Sequence, residues 1–226
     1  MKTEKSSLKD RFVDEITRGV LTGKYPVNEK LPAERELAAQ MGISRTVVRS
    51  GIAELAANGI LRRYDTRGWC VVDYRTEGEM PIVDAILTGG GEMNERLLHD
   101  YVEGGKLLQH ETARLAAINR TNDDLYRLFT IIREGHDLPS DDTCAQANQV
   151  FLFHRQVAIS SGNTFYPIFL NSMRHTAVCL MEKMTCRSMD FPDILKLEEL
   201  VYDAIQERDP ERAIQQMNKL IYHRLP

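Results

Sequence analysis

Cysteine and long apolar runs are scarce in this 226-residue sequence. Cys70, Cys144, Cys179 and Cys186 form no CxxC pair and no zinc-binding spacing, so we expect reduced thiols rather than a disulfide framework. The longest apolar stretches, such as residues 151–153, are far too short to span a bilayer. The N-terminal segment MKTEKSSLKDRF lacks the apolar core of a secretory signal. These absences favour a cytoplasmic protein with no membrane partner.

The sequence also lacks an overall basic charge, since its formal net charge is −4. The charge is unevenly distributed, however. Residues 1–75 contain 14 Lys and Arg against 10 Asp and Glu, a net of +4, and the remainder contains 15 against 23, a net of −8. A basic N-terminal part on an acidic C-terminal part indicates an anionic ligand for the former.

The N-terminal part has the pattern of three helices followed by a hairpin. An apolar stripe at 7–22 predicts the first helix. The segment PAERELAAQMGISRTVVRSGIAELAANGILRRY at 32–64 then predicts a short helix that begins near Pro32 and ends at Gly42. A longer helix follows, with Ser44 as its N-cap, and ends at Asn58-Gly59. ILRRY and WCVVDY predict two strands joined by a turn at 65–68.

The C-terminal part is predicted to be entirely helical. We expect a winged helix-turn-helix domain at 1–75, a polar linker at 76–81, and a helical domain at 82–226. The last of these contains about six or seven amphipathic segments joined by short loops, which predicts an antiparallel bundle. Thr121, with Asp124 three residues later, indicates a capping box at the start of one helix. The fold class is therefore mainly α.

The residue types that open the third helix favour DNA binding. In a winged helix-turn-helix, the N-terminal residues of the second helix of the motif meet base edges in the major groove. Here Arg45 and Arg49 can pair with guanine, and Thr46 offers a hydroxyl and a methyl group. Ser44 and Arg35 suit phosphate contacts. At the hairpin tip, Arg67-Gly68 would let an arginine enter the minor groove.

The run LPAERELAAQMGISRTVVRSGIAELAANGILRRYDTRGWCVV resembles the DNA-binding domain of GntR-type bacterial regulators. The acidic helical part resembles the FCD effector-binding domain of their FadR branch. The resemblance implies a homodimeric regulator that binds a short pseudo-palindromic operator in double-stranded DNA. It further implies that a small-molecule effector in the helical domain changes operator affinity. The positions matching DNA-contacting residues of the family are Arg35, Arg45, Thr46, Arg49 and Gly68, with Val47 and Val48 beside them.

The helical part departs from the metal-binding pattern of that family. Many FCD domains hold a divalent metal through an Asp-x-x-x-His pair and two further histidines. Here His154 is retained, but the other positions fall on Val150, Glu198 and Leu220, with His223 three residues beyond the last. We therefore expect no metal site and no cofactor. His154 is expected to be a core histidine or a polar group of the pocket.

A second departure concerns the effector. Gly105 stands where family members commonly place an arginine that pairs with a carboxylate effector. The stretch ISSGNTFYPIFLNSM is similar to that of the acyl-CoA-responsive member. It places Tyr166, Asn171 and Met173 beside His154 as candidate pocket residues for an acyl or largely apolar ligand. These aromatic and apolar side chains are also consistent with simple core packing.

Three alternatives remain open from the sequence. One is a metal-dependent FCD regulator that senses a small carboxylate or sugar acid. Another is an enzyme in the helical domain, in which His154, Glu198 and Asp203 would supply acid–base groups. No nucleophile motif, phosphate-binding loop or metal cluster supports this enzyme hypothesis. The third is a protein-interaction module that keeps the winged fold without binding DNA.

Overall fold

The computed structural model describes residues 7–65, 68–78, 80–88, 95–188 and 190–222. The chain divides into two compact units, Met1–Asn94 and Glu95–Pro226. The structure confirms the mainly helical fold class, with a helix-turn-helix and a small two-stranded sheet in the first unit and helices in the second. Within the described ranges, no helix is both long and apolar enough to cross a bilayer.

Three helices form the body of the first unit: α1 (Leu8–Leu21), α2 (Glu34–Met41) and α3 (Arg45–Ala57). A capping box between Ser7 and Asp10 begins α1, and α2 ends at Gly42, whose φ of 65° suits glycine. Ser44 caps α3, as the sequence predicts. The interior is built from apolar side chains of the three helices, of the connections before α2 and before β1, and of strand β2: Phe12, Val13, Ile16, Leu31, Leu37, Val48, Ile52, Leu55, Ile60 and Val71.

A β-hairpin, here called the wing, follows α3. Its strands β1 (Leu61–Tyr64) and β2 (Gly68–Val71) pair antiparallel, with Arg63 opposite Trp69. The connection before α2 also pairs with β2, because Leu31 N donates to Trp69 O at 2.8 Å and Val71 N donates to Glu29 O at 3.0 Å. The segment 28–31 therefore lies along the free side of β2.

The second strand is shorter than the sequence predicts. Strand β2 ends at Val71, and Tyr74 begins the short helix α4 (Tyr74–Glu77) instead of continuing the strand. The physical reason is local, because the Asp73 side chain accepts a hydrogen bond from Arg75 N at 3.1 Å and caps the new turn.

The boundary between the compact units differs from the linker expected at 76–81. Helix α4 extends into that range, and helix α5 (Met80–Thr88) begins inside it. Helix α5 packs on α1 and belongs to the first unit, whereas the sequence assigned residues from 82 onward to the helical domain. Helix α5 buries Ile82, Ile86 and Leu87, and its contact with α1 is what places it in the first unit.

Seven helices form the described part of the second unit. They are α6 (Glu95–Asn119), α7 (Asn122–His136), α8 (Thr143–Ser160), α9 (Phe165–Ser172), α10 (Arg174–Ser188), α11 (Phe191–Gln206) and α12 (Pro210–Tyr222). The predicted capping box of α7 is present, with Thr121 and Asp124 bonding each other's backbone N–H. Helices α9 and α10 meet at Met173 without forming one continuous helix. Ser172 Oγ, bonded to Phe169 O, competes there with helix continuation.

Helix α8 lies at the centre of the second unit, packed against α6, α7, α9 and α10. Its buried residues include the apolar Val150, Phe153 and Val157 but also the polar Gln149 and His154. Apolar residues of α6, α7, α11 and α12 complete this core. A central helix that buries polar groups on several faces is a natural place for a ligand.

Candidate nucleic-acid interface and effector domain

The first turn of α3 exposes its polar side chains, because its apolar residues are the ones that pack against the rest of the first unit. Ser44 Oγ accepts a hydrogen bond from Val47 N at 3.3 Å and fixes where the helix begins. Val48 is fully buried and Val47 is half-buried. Arg45 and Thr46, in the same turn, are exposed. The structure thus brings the residues of the predicted base-contacting turn to one surface.

Arg49 lies one turn further along the same face and is tied to the preceding helix. Its Nη2 is 3.2 Å from Oε2 of Glu34, in the first turn of α2. The Arg49 side chain remains 70% exposed, whereas that of Glu34 is 24% exposed. The ion pair therefore orients the guanidinium while leaving its outer edge available to a ligand.

Arg35 and Arg45 are exposed and make no ion pair with any residue in the described ranges. Both are free to meet an anion without first breaking an internal contact. Arg35 lies in the first turn of α2, beside the start of the motif. This placement is compatible with the phosphate contact predicted for it.

The wing contains Gly68, which the sequence predicts as a DNA contact, and lies beside Lys30, which the sequence does not predict there. Gly68 has a φ of 85°, a conformation that other residues rarely adopt. A β-carbon at this position would lie 3.3 Å from Cε of Lys30, so the lysine side chain runs close beside the wing. Lys30 precedes the helix-turn-helix in sequence, and only its pairing opposite Cys70 places it here. Arg67 lies outside the described residues, and its predicted role stays a prediction.

In the second unit, the positions matching the family's metal ligands do not fit a metal. Val150 and Leu220 are both 1% exposed and belong to the apolar core. Their side chains have no donor atom for a cation. Glu198 is fully buried and accepts a hydrogen bond from Gln149 Nε2 at 2.8 Å. This amide–carboxylate contact between α8 and α11, which the sequence pattern did not reveal, lies where the family places a metal ligand.

The four residues predicted to line an effector pocket differ in burial. His154 is 4% exposed and its ring meets that of Phe153 edge-on at 5.9 Å. Tyr166 and Met173 are half-buried at the start and end of α9, and Asn171 is exposed. The pocket assignment stays a prediction, with His154 deep in the unit and the other three at or near the short helix α9.

Comparison with known protein families matches both units of the chain. Residues 8–71 match the family described as "Bacterial regulatory proteins, gntR family". Residues 106–223 match the FCD domain. The two matches cover the helix-turn-helix with its wing and nearly all of the second unit.

Relatives of similar length are transcription regulators rather than enzymes. The HTH-type transcriptional regulator Mce2R of Mycobacterium tuberculosis is 28% identical over 211 residues, covering 92% of this chain and 85% of that protein. The Glc operon transcriptional activator of Escherichia coli is 25% identical over 224 residues, covering 94% and 85%. The fatty acid metabolism regulator protein of Shewanella baltica is 26% identical over 174 residues, covering 70% and 65%.

A solved structure shows the same fold. The Listeria monocytogenes protein Lar, described as controlling expression of the agr system, superposes with a TM-score of 0.60 at 17% identity, covering 97% of this chain and 95% of that one. The two domain matches show that the chain belongs to the GntR family of bacterial transcription regulators and carries a C-terminal FCD domain.

Proposed function

We propose that this regulator binds a pseudo-palindromic operator as a homodimer in the cytoplasm, and that a small metabolite in the helical unit changes its operator affinity. The observation that carries the DNA-binding part is the exposed first turn of α3, where Arg45 and Thr46 project from a helix seated on Val48. A helix that presents its N-terminal side chains in this way matches the docking geometry of helix-turn-helix proteins.

Each predicted DNA-contacting residue has a chemical role in this proposal. Arg45 and Arg49 pair with guanine, and Thr46 and Val47 contact neighbouring bases, including a thymine methyl group. The remaining residues position the protein on the backbone and in the minor groove: Arg35, Ser44, Arg67 and Gly68. The net charge of +4 in residues 1–75 supports approach to DNA despite the acidic second part.

The effector site is proposed to be metal-free and largely apolar. The apolar Val150 and Leu220 favour this over the alternative, a metal-dependent sensor of a small carboxylate or sugar acid. The predicted pocket residues are His154, Tyr166, Asn171 and Met173. One relative is named as a regulator of fatty acid metabolism, which is compatible with an acyl ligand. Such a ligand can change DNA affinity only through its different affinity for two arrangements of the dimer.

Selection of bound fragments from random DNA, followed by fluorescence anisotropy on the selected site, tests the DNA-binding part. We expect Arg45→Ala to weaken specific binding by about 1–3 kcal/mol, the value of a bidentate arginine–guanine contact. Arg127→Ala is the control, because Arg127 pairs with Asp123 on α7 in the other unit. If affinity and its salt dependence survive both Arg45→Ala and Arg49→Ala, α3 does not bind the operator.

Native mass spectrometry of the protein as purified, without added metal or chelator, tests the remaining parts. We expect a dimer at its bare mass or with an organic adduct. A divalent ion in each subunit would contradict the metal-free pocket and restore the metal-dependent alternative. A monomer at micromolar concentration would contradict the homodimer.

A further inference from the structure

Three glutamine side chains inside the second unit bury amide oxygens that have no hydrogen-bond partner among the described residues. They are Gln109 of α6, Gln149 of α8 and Gln216 of α12. Buried polar groups in native proteins are almost always satisfied by protein, water or a ligand. Three unsatisfied amide groups of one chemical type therefore indicate a partner that forms hydrogen bonds with them.

These three residues lie at one level of the bundle. Helices α6 and α8 run parallel, because Asn119 Nδ2 donates to Ser161 O at 2.8 Å where both helices end. Counting back ten residues along each helix puts Gln109 level with residue 151, close to Gln149. Helix α12 runs antiparallel to α6, because Arg208 Nη1 donates to Ile118 O. Counting eight residues along each chain puts Gln216 level with residue 110.

Glu198 lies at nearly the same level. Helix α11 ends beside the end of α6, where Arg120 Nη2 donates to Gln206 O at 2.8 Å. Eight residues earlier, Glu198 is level with residue 112. At 1.5 Å per residue, the glutamines and Glu198 fall within about 8 Å along the bundle axis. We call Gln109, Gln149, Glu198 and Gln216 the polar layer.

The orientation of one amide is fixed by its neighbours. Gln149 Nε2 faces two acceptors, Glu198 Oε2 at 2.8 Å and Ile131 O at 3.3 Å. An amide oxygen in that position would meet two other oxygens, so a flipped assignment is disfavoured. Gln149 is 5% exposed, and its Oε1 is the group left without a donor.

The inner side of α6 leaves room near this layer. Gly105 is half-buried, one turn before Gln109, and a β-carbon added there would meet no described atom within 4 Å. The following buried positions of the helix carry the small side chains Thr112, Ala113 and Ala116. Small residues around a central glutamine leave space that larger side chains would fill.

We propose that the polar layer binds the donor head of the effector, an O–H or N–H group such as an alcohol or a primary amide on an apolar body. This inference rests on the proposed effector function and names the chemical class of its ligand. A carboxylate head fits this layer less well, because its oxygens would face the Gln149 amide oxygen and the Glu198 carboxylate instead of donors. Gly105, Val150 and Leu220, the positions where family members commonly carry an arginine or metal ligands, supply no positive charge to offset that repulsion.

Three six-carbon probes that differ only in the head group test the proposal: hexanamide, 1-hexanol and hexanoate. Isothermal titration calorimetry on the full-length protein measures their affinities. We expect the amide and the alcohol to bind, and hexanoate to bind at least about tenfold more weakly, the effect of one mispaired buried hydrogen bond. Gln109→Met removes one acceptor at similar volume and is expected to weaken hexanamide binding about tenfold. Gln215→Met, at an exposed position of α12, is the control and should change nothing.

The unliganded variants distinguish a ligand site from a structural water network. If the Gln109 oxygen lacks a partner, Gln109→Met leaves the unfolding temperature unchanged or raises it. Lowering by several degrees, with no binding of either donor probe, would show that the layer is structural and would overturn the proposal. Equal binding of hexanoate would overturn it as well. Operator binding is measured on the same samples. Retained operator binding would show that only the ligand proposal has failed, because the DNA-binding proposal is tested separately by Arg45→Ala.

Discussion

The aromatic ring of Phe12 lies directly against the backbone of Gly51, so that a β-carbon at position 51 would be 2.3 Å from Phe12 Cδ1. Phe12 is fully buried in α1, and Gly51 is buried in the middle of α3. The glycine lets the two helices approach closely enough for the ring to fill the interface. This contact sets how α1 supports the helix that is proposed to enter the major groove.

Gly51→Ala is therefore expected to destabilise the first unit, because the added methyl group has no room. Overpacking of this kind costs about 1–3 kcal/mol and outweighs the better helix propensity of alanine. Gly104→Ala is the matched control in α6, where the added atom meets nothing described within 4 Å, and it should stabilise by about 0.5–1 kcal/mol. Urea unfolding measures both. Equal effects of the two substitutions would contradict the tight contact.

The Glu34–Arg49 ion pair predicts coupling between two positions in DNA binding. Glu34→Gln removes the group that orients Arg49, so specific affinity should fall several-fold while non-specific binding does not. In an Arg49→Ala background, Glu34→Gln should have almost no further effect on specific affinity. Anisotropy titrations with specific and random duplexes complete the double-mutant cycle. Additive losses would show that Glu34 acts independently of Arg49.

Two aspartates of α1 are expected to influence stability with opposite pH dependence. Hydrogen bonds from the Ser7 hydroxyl and backbone N–H lower the pKa of Asp10 below its usual value of 3.8, whereas burial raises the pKa of Asp14 above that value. Folding favours the charged form of Asp10. Its contribution to the free energy of unfolding is therefore present above pH 3.8 and is lost as pH falls through the lowered pKa. Folding disfavours the charged form of Asp14, so this residue lowers the free energy of unfolding as pH rises past 3.8.

Asp10→Asn should accordingly lower stability at neutral pH, and Asp14→Asn should raise it. Both differences from the wild type should shrink toward zero in acid, the Asp14→Asn gain below about pH 3.8 and the Asp10→Asn loss at a lower pH. Urea unfolding between pH 2.5 and pH 7 checks both curves. A stability gain in the Asp14→Asn protein that persists at pH 2.5 would show that the effect is not electrostatic.

Removal of metal should leave this regulator unchanged. We expect incubation with a chelator to alter neither the unfolding temperature nor operator affinity, because Val150 and Leu220 offer no ligand atoms. Restoring the family pattern with Val150→Asp, Glu198→His and Leu220→His together should create a zinc-dependent rise in unfolding temperature. Elemental analysis of the triple variant measures the bound metal. The single Leu220→His variant is the control and should bind none.

Local signals in the sequence predicted the parts of the fold that depend on neighbouring residues. The Ser44 cap and the Thr121 capping box each join groups three residues apart, so their spacing is visible in the chain. The turn at Tyr74 was missed because its cap, Asp73, competed with an apparently continuous strand. The helix break at Met173 could not be predicted, because no proline or glycine marks it.

Contacts between distant residues were beyond sequence reasoning. The Glu34–Arg49 pair depends on how α2 crosses α3, and the Gln149–Glu198 contact joins residues 49 positions apart. Only the known family pattern drew attention to Glu198, and nothing indicated its partner. Lys30 lies beside the wing because it pairs with Cys70 of β2, and the turn-rich sequence around Lys30 does not predict this pairing.

The pairing of segment 28–31 with β2 has a mechanical consequence for regulation. Backbone hydrogen bonds join β2 on one side to β1 and on the other to segment 28–31, and α2 begins three residues after that segment. Tilting the wing alone would break the backbone hydrogen bonds at Asn28, Leu31 and Val71. We therefore expect the wing and α3 to move together as one rigid unit. In the proposed dimer, an effector would then leave the DNA-contacting surface of each first unit unaltered. It would act on the distance between the two DNA-binding units.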